Sequence, residues 1–293
     1  MTHVRSSVVV CLLAVLVSGC ASGEPTKGSA DPPPTSPTTV TPGSPVDLPL
    51  DAYSGTGQVE VLLRAQELLL RDCMQAKGFR YEITNAPMTR ATGKNLVRRP
   101  YGLTDRAQAA EFGYHDPRAI AARSRPTPTA GPPSDAYMMA LHGYTVDKPG
   151  TTAGGCMKQA IDRLSSDLDE TTATLVGRLT EEARSRTADD PRVDDAVTAW
   201  SRCMAGRGFR YGSPTDAESA AWPEKPDAKE KATAVADVEC KEETDLAGIW
   251  STVEAAYQHR AIEQNAEALQ HVRALLARRA ARAADIVAED TET

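Results

Sequence analysis

Aromatic side chains are scarce, at 5% of 293 residues, with Phe 3 and Trp 3. A core here has to be built mainly from Ala and Leu, which suits packed helices. Catalytic signatures are missing as well. The chain has no Gly-x-Ser-x-Gly, no Ser-x-x-Lys, no His-Glu-x-x-His, no P-loop and no dinucleotide fingerprint. A carboxylate-based glycosidase survives this filter, because two facing acids leave no sequence pattern. Cys-x-x-Cys is absent, and with it the usual zinc pattern and a c-type haem site. Positive charge is not in excess either. The formal net charge is −7, so a nucleic-acid partner is not expected.

The one long apolar run is Val8 to Val17, about ten residues, too short to span a bilayer. Arg5 precedes it and Leu16-Val17-Ser18-Gly19-Cys20 follows it. The arrangement reads as a secretion signal over residues 1–19. Its end resembles the bacterial lipobox. That resemblance implies a diacylated (palmitate-bearing) Cys20 as the mature N-terminus and an anchor in membrane lipid. Residues 20–47 are rich in Pro, Thr and Ser and poor in large apolar residues, so they read as a disordered tether. At about 3 Å per residue such a tether reaches roughly 80 Å.

Export permits disulfides. With Cys11 in the signal and Cys20 lipidated, Cys73, Cys156, Cys203 and Cys240 remain. Four cysteines allow three connectivities. An internal repeat selects one of them. Cys73-Met-Gln-Ala-Lys-Gly78-Phe79-Arg80-Tyr81 recurs as Cys203-Met-Ala-Gly-Arg-Gly208-Phe209-Arg210-Tyr211. Each half then offers one later cysteine, so the expected pairs are Cys73–Cys156 and Cys203–Cys240. In the chain-entropy view, loops of this length stabilise by about 4 kcal/mol each.

Both repeats close an apolar helical run. Val59, Leu62, Leu69, Cys73 and Ala76 share one helical face before the first, and Val193, Ala196, Trp200 and Cys203 before the second. Gly78 and Gly208 are placed to stop these helices, with Lys77 or Arg207 one residue earlier. The shared Arg80/Arg210 and Tyr81/Tyr211 read as structural rather than as an anion site.

The first half carries a long insertion, residues 83–152. Within it Thr104 is placed to cap a helix ending at Gly113, Asp116-Pro117 to start another, and Ser134 to cap a third ending at Gly143. Such an insertion is the expected binding surface, and an apolar patch near Tyr101, Tyr114 and Tyr137 would mark it. Beyond it, Met157, Ile161, Leu164, Leu168, Leu175 and Leu179 mark one helical face, and Asp190-Pro191 opens the helix of Cys203. From Pro226 to about Val287 runs one long helical pattern with Ile262, Leu269, Leu276 and Ala283 every seven residues, interrupted at Asn265 and Arg279. Acidic Glu239, Glu242, Glu243 and Asp245 and basic Arg273, Arg278, Arg279 and Arg282 read as solvated helix surface.

Cys-Met occurs at 73–74, 156–157 and 203–204, and Met138, Met139 and His142 lie within about one helical turn. Thiolate, thioether and imidazole suit Cu(I), which makes copper handling a minor alternative. Met beside a core-facing cysteine is more commonly filler. No cofactor is expected.

Lipobox, Pro/Thr tether and repeated Cys-Met-x-x-x-Gly-Phe together resemble the uncharacterised secreted lipoproteins of streptomycetes and related actinobacteria. Arg99-Pro-Tyr-Gly102 and Ala234-Val-Ala-Asp-Val-Glu-Cys-Lys241 add to the resemblance, which implies a location and no mechanism.

The expected fold is mainly α: a disulfide-stapled helical bundle over 48–293, in related halves of about 58–188 and 189–288, with a long irregular insertion in the first. The expected function is a non-enzymatic binding or structural lipoprotein on the extracytoplasmic face of the cell membrane, meeting a wall polymer or an envelope protein. A wall-active hydrolase using a carboxylate pair is the other alternative.

Overall fold

Two cysteine–cysteine bonds and a set of capped helices define the architecture. The computed structural model describes residues 40, 41, 43, 46–83, 99–123, 134–144 and 154–291, all in one compact unit. The signal, Cys20, the tether up to residue 39 and the loop at 125–133 lie outside the described residues. Every regular element among the described residues is helical.

Two 3-10 turns, Pro49–Tyr53 and Thr56–Gln58, lead into α1 (Val59–Ala76). The insertion supplies α2 (Arg106–Phe112), α3 (Pro117–Arg123) and α4 (Asp135–His142). Then come α5 (Cys156–Ser165), α6 (Glu170–Ala188), α7 (Pro191–Gly206) and the short α8 (Pro214–Glu218). The chain ends in α9 (Ala228–Glu243), α10 (Leu246–Gln264) and α11 (Ala266–Thr291). Side-chain oxygens of Ser134, Asp169, Asp190 and Asp227 cap their helices by accepting from backbone N–H groups. At α2 the cap is Asp105, one residue past the expected Thr104. Among the described residues no helix is long and apolar enough to cross a membrane.

The long pattern from 226 to 287 is three helices. Asp245 breaks it at a left-handed φ of 49°. Asn265 breaks it again, its amide donating back to the Ala261 carbonyl at 2.8 Å. Ile161, expected on the buried face, is 48% exposed, because the buried face of α5 runs through Cys156, Ala160 and Leu164 and Ile161 lies one residue round from it. Ala76 is likewise exposed.

The repeat is reproduced atom for atom at its turn. The Phe79 N–H donates to Met74 O and that of Gly78 to Gln75 O; Phe209 and Gly208 repeat this on Met204 and Ala205. This is the Schellman closure, with Gly78 at φ 80° and Gly208 at φ 89°. The deepest residue in each copy is the methionine: Met74 and Met204 are 0% exposed, while Cys73 and Cys203 sit part-way out. Complete burial of such a side chain contributes about 1.5–3 kcal/mol.

The disulfides are Cys73–Cys156 and Cys203–Cys240, each with Cα atoms 5.7 Å apart. Each ties the last turn of the repeat helix to a second helix, α5 or α9. The halves are not separate packing units, however. Helix α11, from the second, packs on α1 and α5 of the first. Residues 99–115, from the first, pack on α9 and enter the largest core cluster, around Trp200, Leu246 and Trp250. Val40 and Val46, at the end of the expected tether, pack on that cluster too.

Burial of charge on α9 explains the exchange. Glu230 and Asp237 are 0% exposed and Lys241 is 2% exposed. Lys241 Nζ donates to Asp237 at 2.8 Å and to the Leu103 carbonyl at 2.9 Å, and Trp200 Nε1 donates to Asp237 at 2.9 Å. Glu230 Oε1 accepts the Tyr114 N–H and faces His115 Nδ1, both at 2.8 Å. Burial pushes the Asp237 carboxyl up, and the Lys241 charge opposes that. Unpaired, these groups would cost several kcal/mol each; the segment 99–115 supplies partners to Glu230 and Lys241, while Trp200 and Lys241 serve Asp237.

Four substitutions are expected to change stability, one among the buried charges and three at glycines. Lys241→Ala leaves Asp237 without its cation and is expected to cost about 3–5 kcal/mol. Gly78→Ala and Gly208→Ala each cost about 1 kcal/mol of backbone strain, since nothing lies within 4 Å of either added Cβ. Gly155→Ala costs more, because its Cβ would stand 2.5 Å from the Gly143 nitrogen and the Leu141 carbonyl oxygen. Denaturant unfolding of the oxidised protein measures all four; equal losses for Gly155→Ala and Gly208→Ala would refute the close-approach argument.

Candidate functional site

The expected tyrosine patch does not assemble. Tyr101 is 3% exposed in the large core, where Ser251 Oγ donates to its hydroxyl at 3.3 Å. Tyr114 packs against Trp222, with ring centroids 5.7 Å apart. Tyr137 meets Phe79 edge-on in the first-half cluster, 5.6 Å between centroids. The described parts of the insertion around 99–115 are packing elements.

The concave feature lies elsewhere, where α1, α5 and α11 meet. It is an open groove of about 840 Å³. Leu68, Leu69, Ala160 and Ile286 supply apolar surface; Arg71, Asp72, Arg163, Glu289 and Asp290 supply charge of both signs. Gln75, Gln159 and Cys73 complete the part nearest the disulfide.

An ion-pair frame holds the three helices. Arg71 donates to Asp290 at 2.6 Å and to Asp72 at 2.7 Å, and Arg64 reaches Asp290 at 3.2 Å. Hydrogen bonding to Arg71 holds the Asp290 carboxyl below its ordinary range. At the other end Asp167 receives Arg282 at 2.6 Å and Arg278 at 3.1 Å, and these bonds bring its carboxyl down to about 2. Arg282 also donates to the Leu164 carbonyl at 2.8 Å, tying α11 to the end of α5.

This electrostatics bears on the alternatives. Asp290 is held by Arg71 and Arg64, which favours its charged form and works against a role as general acid. For copper, the four thiolates are consumed in S–S bonds. Met74 and Met204 are fully buried, and Met157 Sδ takes a contact from Gln66 Nε2 at 3.2 Å. Met139 is 42% exposed and His142 stacks on Tyr144 at 5.2 Å.

Of the repeat residues, Phe79 and Phe209 pack inward, while Arg80 and Arg210 are exposed. Arg80 pairs with its near neighbour Glu82 at 3.0 Å. Tyr81 leans on Glu67, its hydroxyl 3.2 Å from both carboxylate oxygens, and burial plus that charge push the phenol up to about 12. Val197 stands where Glu67 would be in the second copy, so Tyr211 lacks this partner.

The halves differ most around the disulfides. Superposing Cys156 on Cys240 sets Gly155 against Glu239 and Gln159 against Glu243. In the second half Arg207 bridges Glu239 and Glu243 across the helix pair, and Arg106 also reaches Glu239 at 2.9 Å. In the first half Gly155 and Gln159 replace the two glutamates and Lys77 the arginine, and the groove lies there beside Cys73. No family model, no curated protein and no solved structure matches the chain.

Asp167 yields a pH prediction. Its folded carboxyl titrates near 2 against an ordinary 3.8, so its contribution to stability is present above about pH 4 and is lost as pH falls towards 2. Asp167→Asn is expected to flatten the acid limb of the unfolding curve in that window and to leave the curve near neutrality parallel to wild type. An unchanged acid limb would show that Arg278 and Arg282 do not sense this carboxylate.

Proposed function

We propose that the protein is a membrane-anchored extracytoplasmic lipoprotein whose helical head is a non-enzymatic binding or structural module of the cell envelope. The observation that carries the reading is the stretch Leu16-Val17-Ser18-Gly19-Cys20 directly after the apolar run. The pairing of all four remaining cysteines supports it, since such bonds persist in oxidising compartments. Anchoring is by acyl chains on Cys20. The Pro-rich segment sets the head away from the lipid, and the groove between α1, α5 and α11 is the face offered to a wall polymer or an envelope protein. Groove carboxylates bound to arginine favour this over hydrolysis.

Expression of the full chain in a lipoprotein-processing bacterium tests the reading. Wild type is expected in the detergent phase and labelled by an alkyne fatty acid; Cys20→Ser is expected in the aqueous phase without label. Unlabelled wild type with an N-terminus other than Cys20 would overturn it.

A further inference from the structure

We infer that the two disulfides have different chemical roles: Cys203–Cys240 is a structural bond, and Cys73–Cys156 is an exchange site for a low-molecular-mass thiol. Three observations distinguish them. The first is access. Cys73 lines the groove, whereas Cys156 and Cys240 are 0% exposed. An incoming thiolate therefore meets Cys73 Sγ. Cys203 is half-buried as Cys73 is, but it does not line that groove, and Arg207 bridges Glu239 and Glu243 beside it.

The second observation is local charge. Cys203 Sγ lies 3.3 Å from Glu243 Oε2, so a carboxylate oxygen, its group paired to Arg207 through the other oxygen, occupies the place where an anionic nucleophile would approach. Cys73 Sγ has no carboxylate in that position: it lies 3.6 Å from Oε1 of the neutral Gln159, in a groove that carries Arg71 and Arg163 as well as Asp72, Glu289 and Asp290.

The third is the leaving group, whose acidity sets how readily it departs. Attack on Cys73 expels Cys156, the first residue of α5. Its N-cap is Gly155, which supplies no side-chain cap, so Cys156 departs as a thiolate at the positive end of its helix. Attack on Cys203 would expel Cys240, in the last turn of α9, at the negative end of its helix. The duplication thus places equivalent cysteines at opposite helix poles.

The step balances as thiol–disulfide exchange. The thiolate sulfur bonds Cys73 Sγ, the Cys73–Cys156 bond breaks, and its electron pair leaves on Cys156. A second thiolate then attacks the external sulfur of the mixed disulfide. The small-molecule disulfide departs and Cys73 is left as a thiolate, the two thiols having been oxidised and the protein disulfide reduced. Charge of both signs on the groove walls suits a zwitterionic, amino-acid-derived thiol. The inference holds whether or not Cys20 is acylated.

The test treats the oxidised full chain with glutathione at about pH 8, quenches with acid at timed intervals, alkylates and maps peptides. Cys73 is expected to carry the glutathione adduct and Cys156 the alkyl group, at a rate at least tenfold above any change at Cys203 or Cys240. Gln159→Glu, which places beside Cys73 the carboxylate that guards Cys203, is expected to slow the reaction several-fold with the helical spectrum unchanged. Equal rates at the two disulfides, earlier opening of Cys203–Cys240, adduct on Cys156, or an unchanged rate in Gln159→Glu would each overturn the assignment.

Discussion

Glu230, Asp237 and Lys241 bring charge onto the buried face of α9, and distant parts of the chain come in to partner them. A helix cannot pair such groups from its own surface alone. Lys241 and Asp237 are one turn apart and meet each other, but Lys241 Nζ needs a further acceptor and Glu230 needs donors. The Leu103 carbonyl, the Tyr114 N–H and the His115 ring supply them. That requirement fixes residues 99–115 against the second half. With this segment drawn away, α1 and α5 are covered instead by α11, and a duplicated sequence becomes an interleaved structure.

Much of this was legible beforehand, and the parts that were not have a common cause. The two disulfides follow from the repeat. The caps at Ser134 and Asp190 and the stops at Gly78, Gly113, Gly143 and Gly208 follow from local backbone chemistry. Such signals act within one turn, so a linear reading captures them. Which helix covers which is decided over a hundred residues or more, as between Lys241 and Leu103. The signal for it was present in Glu230, Ala234, Asp237, Val238 and Lys241, which share one face of α9. Charges on an amphipathic pattern are read as solvated by default, and here the default fails. The same default served well for Glu242 and Glu243, which are exposed.

The tyrosine patch expected on the insertion fails to form for a related reason. Tyr101 and Tyr114 are instead the apolar side of the segment that carries donors to α9. The groove arises from three helices whose residues lie far apart in sequence, with Arg71 and Asp290 meeting across 219 positions. No window of the chain shows it. What could have pointed there is the difference between the copies: Glu239 and Glu243 in the second have Gly155 and Gln159 as counterparts in the first.

Interleaving also sets an order of assembly. In a chain that emerges N-terminus first, early segments ordinarily fold before late ones arrive. Here α1 and α5 emerge early, yet Leu62, Ala65 and Leu164 are closed over by Ala283 and Ile286, close to the C-terminal end. The large cluster around Trp200 needs nothing beyond Tyr257. The second half of the sequence can therefore settle first, with residues 99–115 already upon it. The first half waits, its apolar face uncovered, until the last helix is delivered.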